Sequence, residues 1–302
     1  AALRRARADG RLTVRVSVYP PLGEWRAVAD TMRAMRGGDD LLRFAGVKGY
    51  VDGSLGSTTA LMDQPYLDEP ASFGLWVTPR DSLARWIGGA DSAGLQVVVH
   101  AIGDRANGEL LDLYDSIGSA HGPRDRRFRI EHAQHLREAD LARMARLGVI
   151  GAMQPYHAAD DGRWAWKRIR PARIRTTYAF RSLLDAGARL AFGSDWTVAP
   201  VDPLLGIEAA VGRQTLDGKH PDGWVPEERI SVEEALRAYT AGVSYAGFGE
   251  RTRGVLREGM QADITVLGRD LFSLPAAEIG ETPVVATVVG GRLVFHGAYG
   301  KQ

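Results

Sequence analysis

Cysteine is absent from the 302 residues, so no disulfide and no thiolate metal site can form. Any metal must be held by histidine, carboxylate or a modified lysine. The same absence fits a cytoplasmic protein, which is the expected location. A signal peptide stays open, because the chain starts at Ala1 in mid-pattern and without an initiator Met. No apolar run is long enough to span a bilayer. Neither sign of charge is in excess, since 38 Lys and Arg face 37 Asp and Glu for a formal net charge of +1. That balance gives no electrostatic case for nucleic acid or a membrane surface. A small molecule is left as the expected partner, and a homodimer stays open. Internal repeats and low-complexity stretches are missing too. What remains is average globular material, 45% hydrophobic and 25% charged. Its length suits one large α/β domain with a small appendage, or two ordinary domains.

Short β-rich runs alternate with longer segments of helical period, which argues for a parallel sheet with crossover helices. The strand candidates are Leu12–Tyr19, Gly46–Asp52, Leu95–His100, Phe128–His132, Val149–Gln154 and Arg189–Ser194. Helix candidates are Pro79–Ala93, Asp104–Ala120, Glu138–Leu147 and Thr177–Ala186, with Gly94, Gly148 and Gly187 placed as left-handed caps. Val97-Val98-Val99 is continuously apolar, as expected of a strand buried on both faces. Six strands are two short of a closed (β/α)8 barrel. Beyond Pro226 the texture changes. Ser231-Val-Glu-Glu reads as a capping box that starts a helix to about Thr240. Short β-like runs follow at Gly254–Leu256, Asp263–Leu267 and Thr287–Phe295, with Gly290-Gly291 as a hairpin turn. The Arg-rich opening (Arg4, Arg5, Arg7) reads as a solvated helix face.

Four polar residues stand out by where they fall on these strands. His100 and His132 end theirs, Asp195 follows Leu-Ala-Phe-Gly-Ser, and Lys48 sits in Gly-Val-Lys-Gly-Tyr-Val-Asp. In a parallel α/β barrel the C-terminal strand ends converge, and His, His and Asp are donors suited to a divalent ion such as zinc. Taken singly, each has a plainer reading: a strand-end His as a partly buried residue, Lys48 as a surface or ion-pair lysine. His121, His135, His220 and His296 are read as loop or helix-surface residues, with His157 intermediate. Pocket-wall candidates are Tyr156, His157, Trp164, Trp166 and Trp196, with Gln154 and Arg105 as polar contacts to substrate. A phosphate-binding barrel would need Gly-rich phosphate loops after strands 7 and 8, where Gly193-Ser194-Asp195-Trp196 instead puts a carboxylate.

Six runs in series carry a resemblance. They are Val47–Ser57, Val99–Ala106, Arg129–Gln134, Gly193–Trp196, Glu234–Thr240 and Gly259–Ile264. Together they resemble the amidohydrolase family 3 group of the amidohydrolase superfamily, which includes YtcJ-like proteins and N-substituted formamide deformylase. The resemblance implies a (β/α)8 barrel beside a small β-sandwich built from both chain ends, here residues 1–248 and 249–302. It implies metal ligands at Lys48 (carboxylated in some members), His100, His132 and Asp195, with zinc as the expected ion. Asp195 would also serve as the catalytic proton acceptor, with Gln154, His157, Trp196 and Arg105 left for substrate. The implied activity is metal-dependent hydrolysis of non-peptide carbon–nitrogen bonds. One feature of the family is missing: no His-x-His occurs. The expectation is that this pair, two strands and part of the sandwich precede Ala1. The alternatives are a shorter, degenerate relative that binds without catalysing, or a hydrolase of another bond on the same barrel.

Overall fold

The computed structural model describes residues 2–35 and 39–297. Ten strands occur in it: β1 (Val16–Val18), β2 (Leu42–Phe44), β3 (Gly46–Tyr50), β4 (Gln96–Ala101), β5 (Arg129–His132), β6 (Ile150–Met153), β7 (Arg189–Phe192), β8 (Ile264–Leu267), β9 (Val284–Val289) and β10 (Arg292–His296). Strands β3 to β7 form a parallel sheet in sequence order. β1 pairs in parallel with β2, and the pairing runs on past them. Ala45 N–H donates to Val18 O at 2.9 Å, and Lys48 N–H to Pro20 O at 2.8 Å. Residues 16–21 thus lie along residues 42–48 and extend the sheet by one strand at the free edge of β3. No ladder joins β7 back to β1 among the described residues.

The two faces of the parallel sheet differ in chemistry, and strand alternation is the reason. One row of register partners reads Gly49, Val99, Ile130, Gly151 and Leu190. That face joins the main core with Leu83, Ile87, Leu110, Leu111, Met144 and Leu183, contributed by helices Arg80–Ser92, Asp104–His121, Glu138–Leu147 and Phe180–Asp185. Each fully buried aliphatic side chain there is worth about 1.5–3 kcal/mol. The opposite face reads Lys48, Val98, Arg129, Ile150 and Arg189 in one row, then Tyr50, His100, Glu131, Ala152 and Ala191 in the next. On that face Ile150 and Ala191 pack with Ala246 in a small apolar cluster separate from the main core.

Several sequence expectations are met closely. Helix Glu138–Leu147 has the expected bounds, and Gly94, Gly148 and Gly187 have φ of 77°, 64° and 83°. The capping box at Ser231 is present in both directions. Helix Ala2–Ala8 buries no residue, as its arginines suggested. Gly290 and Gly291, at φ 57° and 78°, make the two-residue turn between antiparallel β9 and β10, a turn that needs two left-handed residues. No described helix is long and apolar enough to cross a membrane.

Others are corrected. The first strand shrinks from Leu12–Tyr19 to Val16–Val18. Gly254–Leu256 contains no strand, and Thr287–Phe295 is two strands, the first starting at Val284. The helix expected from Thr177 starts at Phe180, because Tyr178 adopts φ 51° and donates its N–H to Gln134 O at 2.8 Å. After Arg237 the α-helix widens to a π turn over Ala238–Gly242, where a Cβ on Gly242 would lie 2.3 Å from Leu190 O. Helices Trp25–Ala34, Pro155–Asp161 and Pro203–Gly212 were not expected.

Candidate metal centre

At the C-terminal strand ends a buried carboxylate ties two loops together. Asp52, 1% exposed, accepts N–H bonds from Leu61 at 2.8 Å, Ile102 at 3.0 Å and Gly103 at 2.8 Å. It thereby fastens the loop after β3 to the turn after β4, and Gly103 is required there because a Cβ would meet Leu61 O at 2.0 Å. Burial pushes the Asp52 pKa up to about 7, against its three backbone donors. The fastened loop presents Gly53 O to His100 Nε2 at 2.9 Å. A carbonyl only accepts, so Nε2 carries the proton and Nδ1 the lone pair. Burial lowers the His100 pKa to about 4.

His132 is turned by its backbone. Alternation on β5 would set it beside Ile130, but His132 and the next residue, Ala133, have φ of 77° and 44°. Its ring centroid lies 4.5 Å from that of His100, edge to face. Nδ1 donates to Gln154 Oε1 at 2.8 Å, and Gln154 Nε2 donates to Ala152 O at 3.2 Å. The lone pair of His132 is therefore on Nε2. Burial, aided by His100, Lys48 and His157, holds its pKa well below the usual imidazole value.

His157 enters from the helix Pro155–Asp161, which Pro155 starts at its first position. Its Nε2 is buried without a hydrogen-bond partner and lies 3.9 Å from Asp195 Oδ2. Asp195 follows β7 at φ 55°, with its side chain 35% exposed. Burial raises its pKa, while His157 and Lys48 pull it down. His132, His157 and Asp195 each offer one donor atom, all within 4.8 Å of one another. Two imidazole nitrogens and a carboxylate suit zinc or a similar ion. The partnerless Nε2 supports that fit, because an unsatisfied buried polar atom costs about 1–3 kcal/mol, and in the tautomer protonated on Nδ1 a cation would satisfy it.

These residues line one cavity of about 460 Å³ together with Lys48, His100, Tyr156, Asp161 and Trp164. Burial lowers the Lys48 pKa, although Glu131 and Asp195 oppose this. Of the expected site residues, Lys48, His100, His132, His157 and Asp195 converge here. Gln154, 5% exposed, sits beneath His132. Arg105 is exposed on the helix Asp104–His121 and Trp196 is 69% exposed, both outside the cavity lining, as is Trp166. His135, read as a surface residue, is 1% exposed. Asp52 and Asp161 were missed. Asp52 lay within a quoted run, but its role depends on donors 9 to 51 residues away.

Residues 1–295 match the model of the amidohydrolase family. Protein LONG AFTER FAR-RED 3 of Arabidopsis thaliana is 38% identical over 293 residues, 96% of this chain and 50% of that protein. N-substituted formamide deformylase of Arthrobacter pascens is 29% identical over 208 residues, 68% of this chain and 38% of that one. A crystal structure of a metal-dependent hydrolase from Pyrococcus horikoshii superposes with a TM-score of 0.80 at 31% identity, covering 92% of this chain and 55% of that one. The chain spans about half the length of the first of these relatives, or less in the second.

Proposed function

The chain belongs to the amidohydrolase family, and from that premise we propose that it serves a metal-dependent hydrolase of non-peptide amide C–N bonds in a small molecule. One observation carries the reading: the partnerless His157 Nε2 beside Asp195 and His132. His132 Nε2, His157 Nε2 and Asp195 would hold the ion, with the His100 Nδ1 lone pair beside them. Zinc is the ion of choice for this donor set. When bound, it supplies Lewis acidity that draws the pKa of a water from about 15.7 toward about 7.

The protein's own groups do the rest. Asp195 makes no side-chain hydrogen bond among the described residues, so its carboxylate is free to take the proton of the attacking water and return it to the leaving nitrogen. Gln154 fixes the His132 tautomer and Asp52 fixes the loop that orients His100. Lys48 is biased by burial toward the neutral amine, the form that takes up carbon dioxide, so a carboxylated Lys48 belongs to the proposal. Trp164 and Tyr156 wall the cavity against bulk water. We place the parallel sheet in a (β/α)8 barrel formed with residues 1–248, and residues 249–302 in a small β-sandwich, in a cytoplasmic protein.

Elemental analysis of the purified chain tests the metal reading. One or two equivalents of zinc, lost in His132→Ala and His157→Ala, are expected. An unchanged metal content in both variants would sink it.

A further inference from the structure

Asp161 ends the helix that carries His157 and lines the same cavity. Its surroundings are built to hold an anion. Tyr178 Oη donates to Oδ2 at 2.7 Å, and Gln134 Nε2 donates to the same oxygen. The two donors are strapped together by the Tyr178 N–H bond to Gln134 O. Arg213, 1% exposed, fixes Tyr178 further by donating to its carbonyl at 3.0 Å.

The direction of each hydrogen bond is determined. Burial pushes the His135 pKa down to about 3, so its ring is neutral. Thr177 Oγ1 donates to Arg173 O at 2.9 Å and therefore accepts from His135 Nδ1, also at 2.9 Å. His135 Nε2 is left to accept, and Gln134 Nε2 stands 3.2 Å from it. The Gln134 nitrogen thus faces both His135 and Asp161 as a donor. Tyr178 is kept protonated by burial and donates as well. Oδ2 meets donors only, so it carries no proton itself, and the two donors favour the ionised form.

Both donors converge on Oδ2, so Oδ1 has no hydrogen bond, and nothing cationic pairs with Asp161 among the described residues. Burial alone raises its pKa to about 6, the mark of an anion without a counter-charge. A ligand cation would offset that desolvation, and the aromatic side chains of Trp164 and Tyr156 line the same wall.

We propose that Asp161 Oδ1 recognises a positively charged nitrogen, so that the cavity selects a small amide whose body carries an ammonium or guanidinium group. The word substrate rests on the hydrolase reading above; the preference for a cation does not need the metal.

The test uses benzylammonium and its neutral counterpart benzyl alcohol, titrated into the full chain with zinc present. The cation should bind at least about tenfold more tightly than the alcohol. Asp161→Asn should remove that margin while leaving the alcohol within about twofold. Equal affinities in the wild type, binding of neither probe, or a margin that survives Asp161→Asn each overturn the proposal. Should Asp161→Asn fail to fold, Tyr178→Phe removes one donor but keeps the anion, and the margin must survive it; its loss there overturns the proposal. Repeating the titrations after chelation separates the two readings. An Asp161-dependent margin in a chain that takes up no zinc leaves the cation site standing and the hydrolase reading fallen. Bound zinc with no margin does the reverse.

Discussion

The two ends of the parallel sheet carry the same kinds of side chain and use them in opposite ways. At the N-terminal end, Asp91 is 1% exposed and accepts from Arg126 at 3.0 Å, His121 at 2.8 Å and Arg124. Arg127 holds both oxygens of Glu250 at 2.8 and 2.7 Å, pairs with Asp125, and is sandwiched between the rings of Tyr245 and Phe248 at 3.8 and 4.1 Å. At the C-terminal end, His157 Nε2, the Asp195 carboxylate and one oxygen of Asp161 have no hydrogen bond among the described residues. Saturated polar groups fasten loops together. The buried His157 Nε2 is held at a cost that the fold itself does not offset, and Asp195 and Asp161 face the same cavity, which is the reason to look for a ligand there.

The sharpest break of that contrast is Asp195→Asn. If the unsaturated end does the chemistry, turnover of an amide substrate by the active enzyme falls about 10³-fold while the melting temperature barely moves. A rate near that of the wild type would remove Asp195 from its role. The reciprocal change at the saturated end is Arg127→Ala. It strands Glu250 and Asp125 and strips two aromatic faces, for a loss of about 2–3 kcal/mol, reduced from a buried-pair value because Glu250 is 37% exposed and Asp125 58%. Urea titration checks it, and zinc affinity should be unaffected.

Gln154→Ala lies between the two cases, since it frees the His132 tautomer without removing a donor. Zinc should bind about 10–100-fold more weakly, as read by competition with a chelator. An unchanged affinity would mean that His132 needs no orientation.

The last break is one of pH. His135 titrates near 6.5 when unfolded and at about 3 when folded. Between those values the unfolded chain binds the extra proton. The stability from the neutral, buried ring is therefore complete above about pH 6.5 and is lost as pH falls toward about 3. His135→Gln should flatten the acid limb of metal-free stability between about pH 6.5 and 4. Equal slopes for variant and wild type would show that the ring is not held neutral.

Much of this was legible in the residues, and where it was, a short-range cause exists. Val97-Val98-Val99 announced a buried strand, Ser231 with Glu234 a capping box, and Gly290-Gly291 a hairpin. His100, His132 and Asp195 could be placed at strand ends because a strand-like run, apolar or alternating, stops there. Gln154 was noticed as polar near a strand end, but its bond to a ring 22 residues away had no local signature.

The sequence by itself determined the alternation of strand and helix, the polar ends of the strands and the absence of thiolate chemistry, because each follows from side-chain type and a period of a few residues. Only the tertiary structure decided that His157 joins His132 and Asp195, that Asp52 collects N–H groups from Leu61, Ile102 and Gly103, and that Asp161 keeps one oxygen free. Those outcomes depend on parallel register and on left-handed turns at His132, Tyr178 and Asp195. Both are set by the packing of segments distant along the chain rather than by any residue's own preference.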